Sequence, residues 1–183
     1  MINDLQIRLK PTNNKARAAV LVLGACAAIA FFAYYYMRDH GIEKSSLVGF
    51  LGLVLLTASL TFYQKYMSSV YYYEIMHDDS GVPLFLVKQI IGKRGSTLCR
   101  IVLYEIKNIE RTTPKSRKVY KTPSDVRKYR YIPTFMPNVT YRLTTASRYE
   151  RAEVYIEISD EFAEMLRGYV DEAISTRSLD EEE

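Results

Sequence analysis

Two stretches decide the architecture of this chain: residues 18–37, AAVLVLGACAAIAFFAYYYM, and residues 45–64, SSLVGFLGLVLLTASLTFYQ. Each holds twenty residues without a charged side chain. At about 1.5 Å per residue, about twenty apolar residues in a helix cover the ~30 Å of hydrocarbon in a bilayer. A helix also satisfies its own backbone N–H and C=O groups, which lipid cannot do. Only residues 38–44 separate the runs, so the sequence predicts an antiparallel transmembrane hairpin over 18–64. Cleavage as a signal peptide is disfavoured. Ala25-Cys26-Ala27 and Ala28-Ile29-Ala30 imitate small-residue cleavage sites, but Phe31, Phe32 and Ala33 still follow, whereas cleavage comes after the apolar region.

Around the spans, Tyr34, Tyr35 and Tyr36 at one end and Phe62, Tyr63 and Tyr66 at the other suit the two interfaces. Gly24 with Ala28, and Gly49, Gly52 and Ser59, allow close helix approach and offer faces for oligomerisation. Neither span carries a charge, which disfavours an ion pathway or proton relay. Orientation follows from the basic residues. Arg8, Lys10, Lys15 and Arg17 of a basic N-terminal tail (1–17) and Lys65 face the linker's Arg38 and Lys44, five against two. Positive charge stays inside, so the expectation is a multi-pass protein of the cell (plasma) membrane with both termini cytoplasmic.

Beyond the hairpin, long apolar runs give way to short alternating segments, and a soluble domain is expected over 68–174. Residues 70–76, 82–91, 96–103, 107–113, 131–135, 139–145 and 152–158 read as strands of an antiparallel sheet, with 131–135 a short edge strand. Leu103 to Ile106 reads as one helical turn between strands. Val139, Tyr141, Leu143 and Thr145 face one way and Thr140, Arg142 and Thr144 the other; Ala152, Val154, Ile156 and Ile158 likewise oppose Glu153, Tyr155 and Glu157. After Ser159 and Asp160, good helix-start residues, the period changes. Phe162, Met165, Leu166, Tyr169, Val170 and Ala173 form the stripe of an amphipathic helix. The remainder, 175–183, is expected to be a disordered acidic tail.

About seven strands followed by one helix, behind a two-helix hairpin, resembles bacterial membrane proteins that carry a pleckstrin-homology-like (PH-like) domain. The strand, short turn and renewed strand from Ile101 to Ile109 is the local run most similar to that class, although the proline common there is absent and the segment 114–130 is long. The resemblance implies an α+β fold: a transmembrane hairpin followed by a PH-like antiparallel sandwich or barrel capped by a C-terminal helix. It implies no particular activity.

Catalysis finds little support in the residues. With 25 Lys+Arg against 21 Asp+Glu, the net charge of +4 is too small to imply nucleic acid. The two cysteines, Cys26 in an apolar run and Cys99 in a strand, are poorly placed to pair, which suits a reducing compartment. Two histidines leave little for a metal site, and His77-Asp78-Asp79 leads into Ser80-Gly81 as a turn does. Cys99 alternates inward with Ile101 and Leu103 as a structural thiol. Gly92-Lys93-Arg94-Gly95 sits between strands and opens no helix, so it is no phosphate loop. Asn138-Val139-Thr140 matches a glycosylation sequon that a cytoplasmic domain would not use. No catalytic, cofactor or metal residues are assigned.

The segment 114–130 is the unusual feature, read as a polar insertion. Lys115, Arg117, Lys118, Lys121, Arg127, Lys128 and Arg130 stand against one acid, Asp125, with Tyr120 and Tyr129 interleaved. Such a segment suits anionic lipid headgroups, an acidic membrane or cytoplasmic protein or, less readily, nucleic acid; a solvated loop that only keeps the domain soluble has the same composition. The acidic run 180–183 competes for the same charges. The functional expectation is a non-enzymatic, membrane-tethered interaction or scaffolding module. The alternative is an accessory subunit, or a membrane-embedded enzyme that completes its site with a partner.

Overall fold

A computed structural model describes residues 5–9, 13–120, 123–146 and 151–180, with backbone alone at 5, 9, 117–119 and 178–180. The chain is α+β and divides into two units, residues 11–69 and residues 1–10 with 70–183.

The first unit is a helical pair. α1 (Asn14–Asp39) has 26 residues and α2 (Ser45–Tyr63) has 19, and a π-helical turn (Gln64–Ser68) extends α2. Both helices are long and apolar enough to cross a membrane. Only 11% of either apolar window is buried, so these are not core helices of a globular fold. Leu21, Ile29 and Phe32 on α1, and Leu47, Phe50 and Leu53 on α2, are exposed. The small residues work within the pair. A Cβ at Gly49 would meet the Tyr34 ring at 3.0 Å, one at Gly52 would meet Phe31 at 3.3 Å, and the Ser59 hydroxyl donates to the Val20 carbonyl at 3.1 Å. Ala28, by contrast, is exposed.

The second unit begins before the helices. β1 (Leu5–Leu9) pairs antiparallel with β2 (Ser69–His77), Leu5 opposite Ile75 and Leu9 opposite Tyr71. The expected basic tail at 1–17 is therefore corrected on two counts: residues 5–9 are a sheet strand, and α1 already begins at Asn14. Leu5-Gln6-Ile7-Arg8-Leu9 alternates with period two, and Ile7 packs on the core while Arg8 lies 5.9 Å from the Tyr72 ring centre. The helical pair is thus an insertion into the connection between two neighbouring strands.

β3 (Pro83–Ile91) and β4 (Arg94–Val102) complete a four-stranded sheet in the order β1-β2-β3-β4. Gly92, at φ +61°, and Lys93 form the two-residue turn between them, a backbone position that favours glycine. After a 3₁₀ turn at Leu103–Glu105 comes β5 (Ile106–Thr112). It joins β6 (Arg127–Tyr131), β7 (Thr140–Ala146) and β8 (Arg151–Ile156) in a second sheet, ordered β5-β7-β8-β6. The two sheets do not close into a barrel.

Two strand expectations need correction. The edge strand falls at 127–131, not 131–135, because Pro133 and Pro137 follow and cannot donate to a ladder. It also runs parallel to β8, so this sheet is mixed where an antiparallel one was expected.

Both sheets and α4 (Asp160–Asp180) enclose one core containing Tyr73, Phe85, Leu103, Leu143, Ile156 and Leu166. The Ser159 hydroxyl accepts the Phe162 N–H at 3.2 Å and caps α4 as its sequence suggests. Phe162, Ala163, Leu166, Val170 and Ala173 make the buried stripe, while Met165 is exposed. α4 continues through 175–180, where a tail was expected, with Arg177 over the Tyr104 ring at 4.4 Å; residues 181–183 lie outside the described residues.

Candidate functional site: the insertion and the outer face of the second sheet

The segment expected as a polar loop carries structure. Thr113 starts α3 (Pro114–Val119) with a capping box: its hydroxyl accepts the Ser116 N–H at 3.4 Å, and the Ser116 hydroxyl accepts the Thr113 N–H at 2.8 Å. Pro114 suits the first helical turn, where its missing N–H costs nothing. At the far end β6 alternates. Tyr129 and Tyr131 pack on the core, stacked 6.3 Å apart, while Lys128 and Arg130 take the opposite face.

That opposite face is the outer surface of the second sheet, and register lines its side chains into rows. Glu110, Arg142, Tyr155 and Arg130 stand opposite one another across β5, β7, β8 and β6; Thr144, Glu153 and Lys128 form the next row. Alternation alone would leave this face to water. Its centre is buried instead: Glu153 is 2% exposed, Tyr155 2% and Arg142 9%.

Tyr120, just after α3, supplies a cover. Its ring lies 3.7 Å from the centre of the Arg142 guanidinium, and its hydroxyl donates to Glu153 Oε1 at 2.5 Å. The Tyr155 hydroxyl donates to Glu153 Oε2 at 3.0 Å, and Lys128 Nζ sits 4.7 Å from the Tyr155 ring centre. Arg142 donates through Nη2 to Glu110, and its Nη1 lies 3.5 Å from Glu153 Oε1. Its Nε has no hydrogen-bond partner among the described residues. A buried donor left unsatisfied costs about 1–3 kcal/mol.

These contacts set the protonation preferences. The Glu153 carboxylate that accepts the Tyr120 hydroxyl holds that phenol's pKa above its usual value, and burial adds to it. Burial first, then the same carboxylate, raises Tyr155. Burial disfavours the Arg142 charge, yet the hydrogen bond and charge of Glu110, together with Tyr120 and Glu153, outweigh it and the net shift is upward.

The seven basic candidates divide accordingly. Lys115, Lys128 and Arg130 are exposed, as is Arg127 at the start of β6. Arg117 and Lys118 lie on α3 with only their backbone described, and Lys121 lies outside the described residues. β6 brings Lys128 and Arg130 onto the face where Tyr120 packs. Comparison with protein-family models, curated proteins and solved structures finds no match.

Sequence reasoning missed Glu110, Arg142, Glu153 and Tyr155. The available signal was Arg142 and Glu153 both facing outward on adjacent strands behind a long insertion. Elsewhere the residues behave as turns and core. The Asp78 carboxylate accepts the N–H groups of Ser80 at 2.9 Å and Val82 at 2.8 Å. Cys99 is half-buried beside Tyr131, and burial pushes its thiol up to about 11. Burial also pushes Tyr131 up, to about 12; its hydroxyl donates to the Leu98 carbonyl at 3.1 Å. A hollow of about 720 Å³ lies between the β2–β3 turn and α4, lined by His77, Tyr104, Glu172 and Arg177. No group of three His, Cys, Asp or Glu placed to hold a metal occurs among the described residues.

Proposed function

We propose that the protein is a non-enzymatic interaction module held at the cytoplasmic face of the plasma membrane, with α1 and α2 as its transmembrane hairpin and a PH-like domain as its working part. The observation that carries this reading is the insertion of two exposed apolar helices between paired strands. β1 leaves the sheet at Leu9 and β2 re-enters it at Ser69, so both ends of the helical pair belong on one side of a bilayer. Two crossings satisfy that requirement and one does not. The same pairing supports an uncleaved anchor, since cutting at or after α1 would sever β1 from its sheet. The excess of basic residues on the outer flanks supports a cytoplasmic assignment. Four strands, a second sheet and a closing helix support the PH-like reading.

The working contact in this reading is between the basic segment 115–130 and anionic lipid headgroups. Each basic residue near such a surface contributes about 1 kcal/mol, and tethering raises the local concentration of headgroups. The test uses the full chain in nanodiscs of neutral lipid or with about one-third phosphatidylserine. Acetylation of Lys115 and Lys128 should slow several-fold in the anionic discs, and the difference should vanish as salt rises. Equal rates in both discs would remove the lipid contact. For topology, single cysteines replacing His40 and Ser178 are treated with an impermeant thiol reagent in intact cells. The expected result is labelling at 40 alone, and labelling at 178 alone would reverse the orientation.

A further inference from the structure

Three features of the outer face of the second sheet point to a cover that opens. The first is energetic. Drawing Arg142 and Glu153 out of water costs nearly as much as their attraction returns, so a buried pair adds little net stability. The second is the unpaired Arg142 Nε, which the closed arrangement leaves unsatisfied and water would satisfy. The third is the cover itself. α3 has six residues, too few to be stable by itself, and among the described side chains Tyr120 at its end reaches the sheet. Tyr120 is itself 39% exposed, so water reaches the edge of the contact.

We propose that α3 and Tyr120 form a reversible cover, clipped to the sheet through the Tyr120 contacts with Arg142 and Glu153, and that an anionic membrane surface draws it off. The pull comes from the basic residues of α3, of which Lys115 is exposed. Opening returns water to Arg142 Nε and Glu153, and bares Tyr155 beside Lys128 and Arg130. A ligand shifts such an equilibrium by its preference for one state, and the headgroups prefer the state in which the basic helix is free to meet them. The membrane trigger rests on the lipid contact proposed above; the clip does not.

Hydroxyl-radical footprinting of the full chain in nanodiscs reads the two parts separately. Tyr155 reports the cover, and Tyr73, sealed in the core, reports an intact fold. In neutral discs Tyr155 should be protected in the parent chain. Tyr120→Ala should speed its modification at least about tenfold, the factor that a hydrogen bond to a charged group supplies, with Tyr73 unchanged. Tyr120→Phe, which keeps the ring over Arg142 and loses the bond to Glu153, should fall between. In anionic discs the parent chain should approach the Tyr120→Ala rate. Tyr155 remaining protected in Tyr120→Ala would overturn the clip. Tyr155 responding to Tyr120→Ala but not to anionic lipid would overturn the trigger. Lysine acetylation in the same discs then shows whether lipid contact itself had failed or whether the cover stays closed during contact.

Discussion

Leu166 is the side chain whose truncation tests the packing of α4 most directly. It is 0% exposed and belongs to the core that residues of both sheets and α4 build together. Leu166→Ala removes three carbons, worth about 2.4 kcal/mol at ~0.8 kcal/mol each. The cavity left behind adds to this, because a core held between strands of fixed register collapses only in part, and the expected loss is about 3–4 kcal/mol. The assay is urea unfolding of residues 1–10 joined to 70–183 by a short turn, which closes the β1–β2 connection without the helices. Far-UV circular dichroism is the signal, since the chain has 16 tyrosines and no tryptophan. With a slope of about 1.5 kcal/mol/M, the midpoint should fall by about 2 M at unchanged slope. Met165→Ala, one position away and 43% exposed, should move it by less than about 0.5 M. A Leu166→Ala midpoint within error of the parent would refute the claim that α4 seals the core.

Three other predictions follow from separate parts of the chain. Residues 70–183 without 1–10 should unfold at lower urea than the joined form and exchange the β2 amides that face β1 faster; identical protection would show that β1 is dispensable. Cys99, in a chain with Cys26→Ala, should alkylate about a hundredfold more slowly at pH 8 than a thiol of pKa 9.0, and its rate should keep climbing tenfold per pH unit beyond pH 9. A plateau near pH 9 would contradict the burial of that thiol. Gly49→Val should destabilise the helical pair by about 1–3 kcal/mol in detergent, because Tyr34 stands 3.0 Å from the new Cβ. Gly24→Ala, whose Cβ would have 3.8 Å of room, should be tolerated, and equal effects would discount the close approach at Gly49.

What the sequence determined by itself was local. Uncharged runs long enough for a bilayer placed α1 and α2, since length and polarity are summed along the chain without reference to any partner. Period-two alternation placed β2 to β5, β7 and β8 within a few residues, and the Ser159 cap with its 3.6-residue stripe placed α4. The same alternation is present in Leu5 to Leu9, but its partner β2 lies beyond both helices, and pairing over that separation leaves no local mark. The candidate site depended on tertiary structure in the same way. The basic residues of 115–130 were legible, but the burial of Arg142 and Glu153 was not. Alternation tells that two side chains share a face; whether water or another segment covers that face depends on where the insertion folds back. Here Tyr120, at the end of α3, lies against an outward-facing Arg–Glu pair that is buried, and only the folded chain places it there.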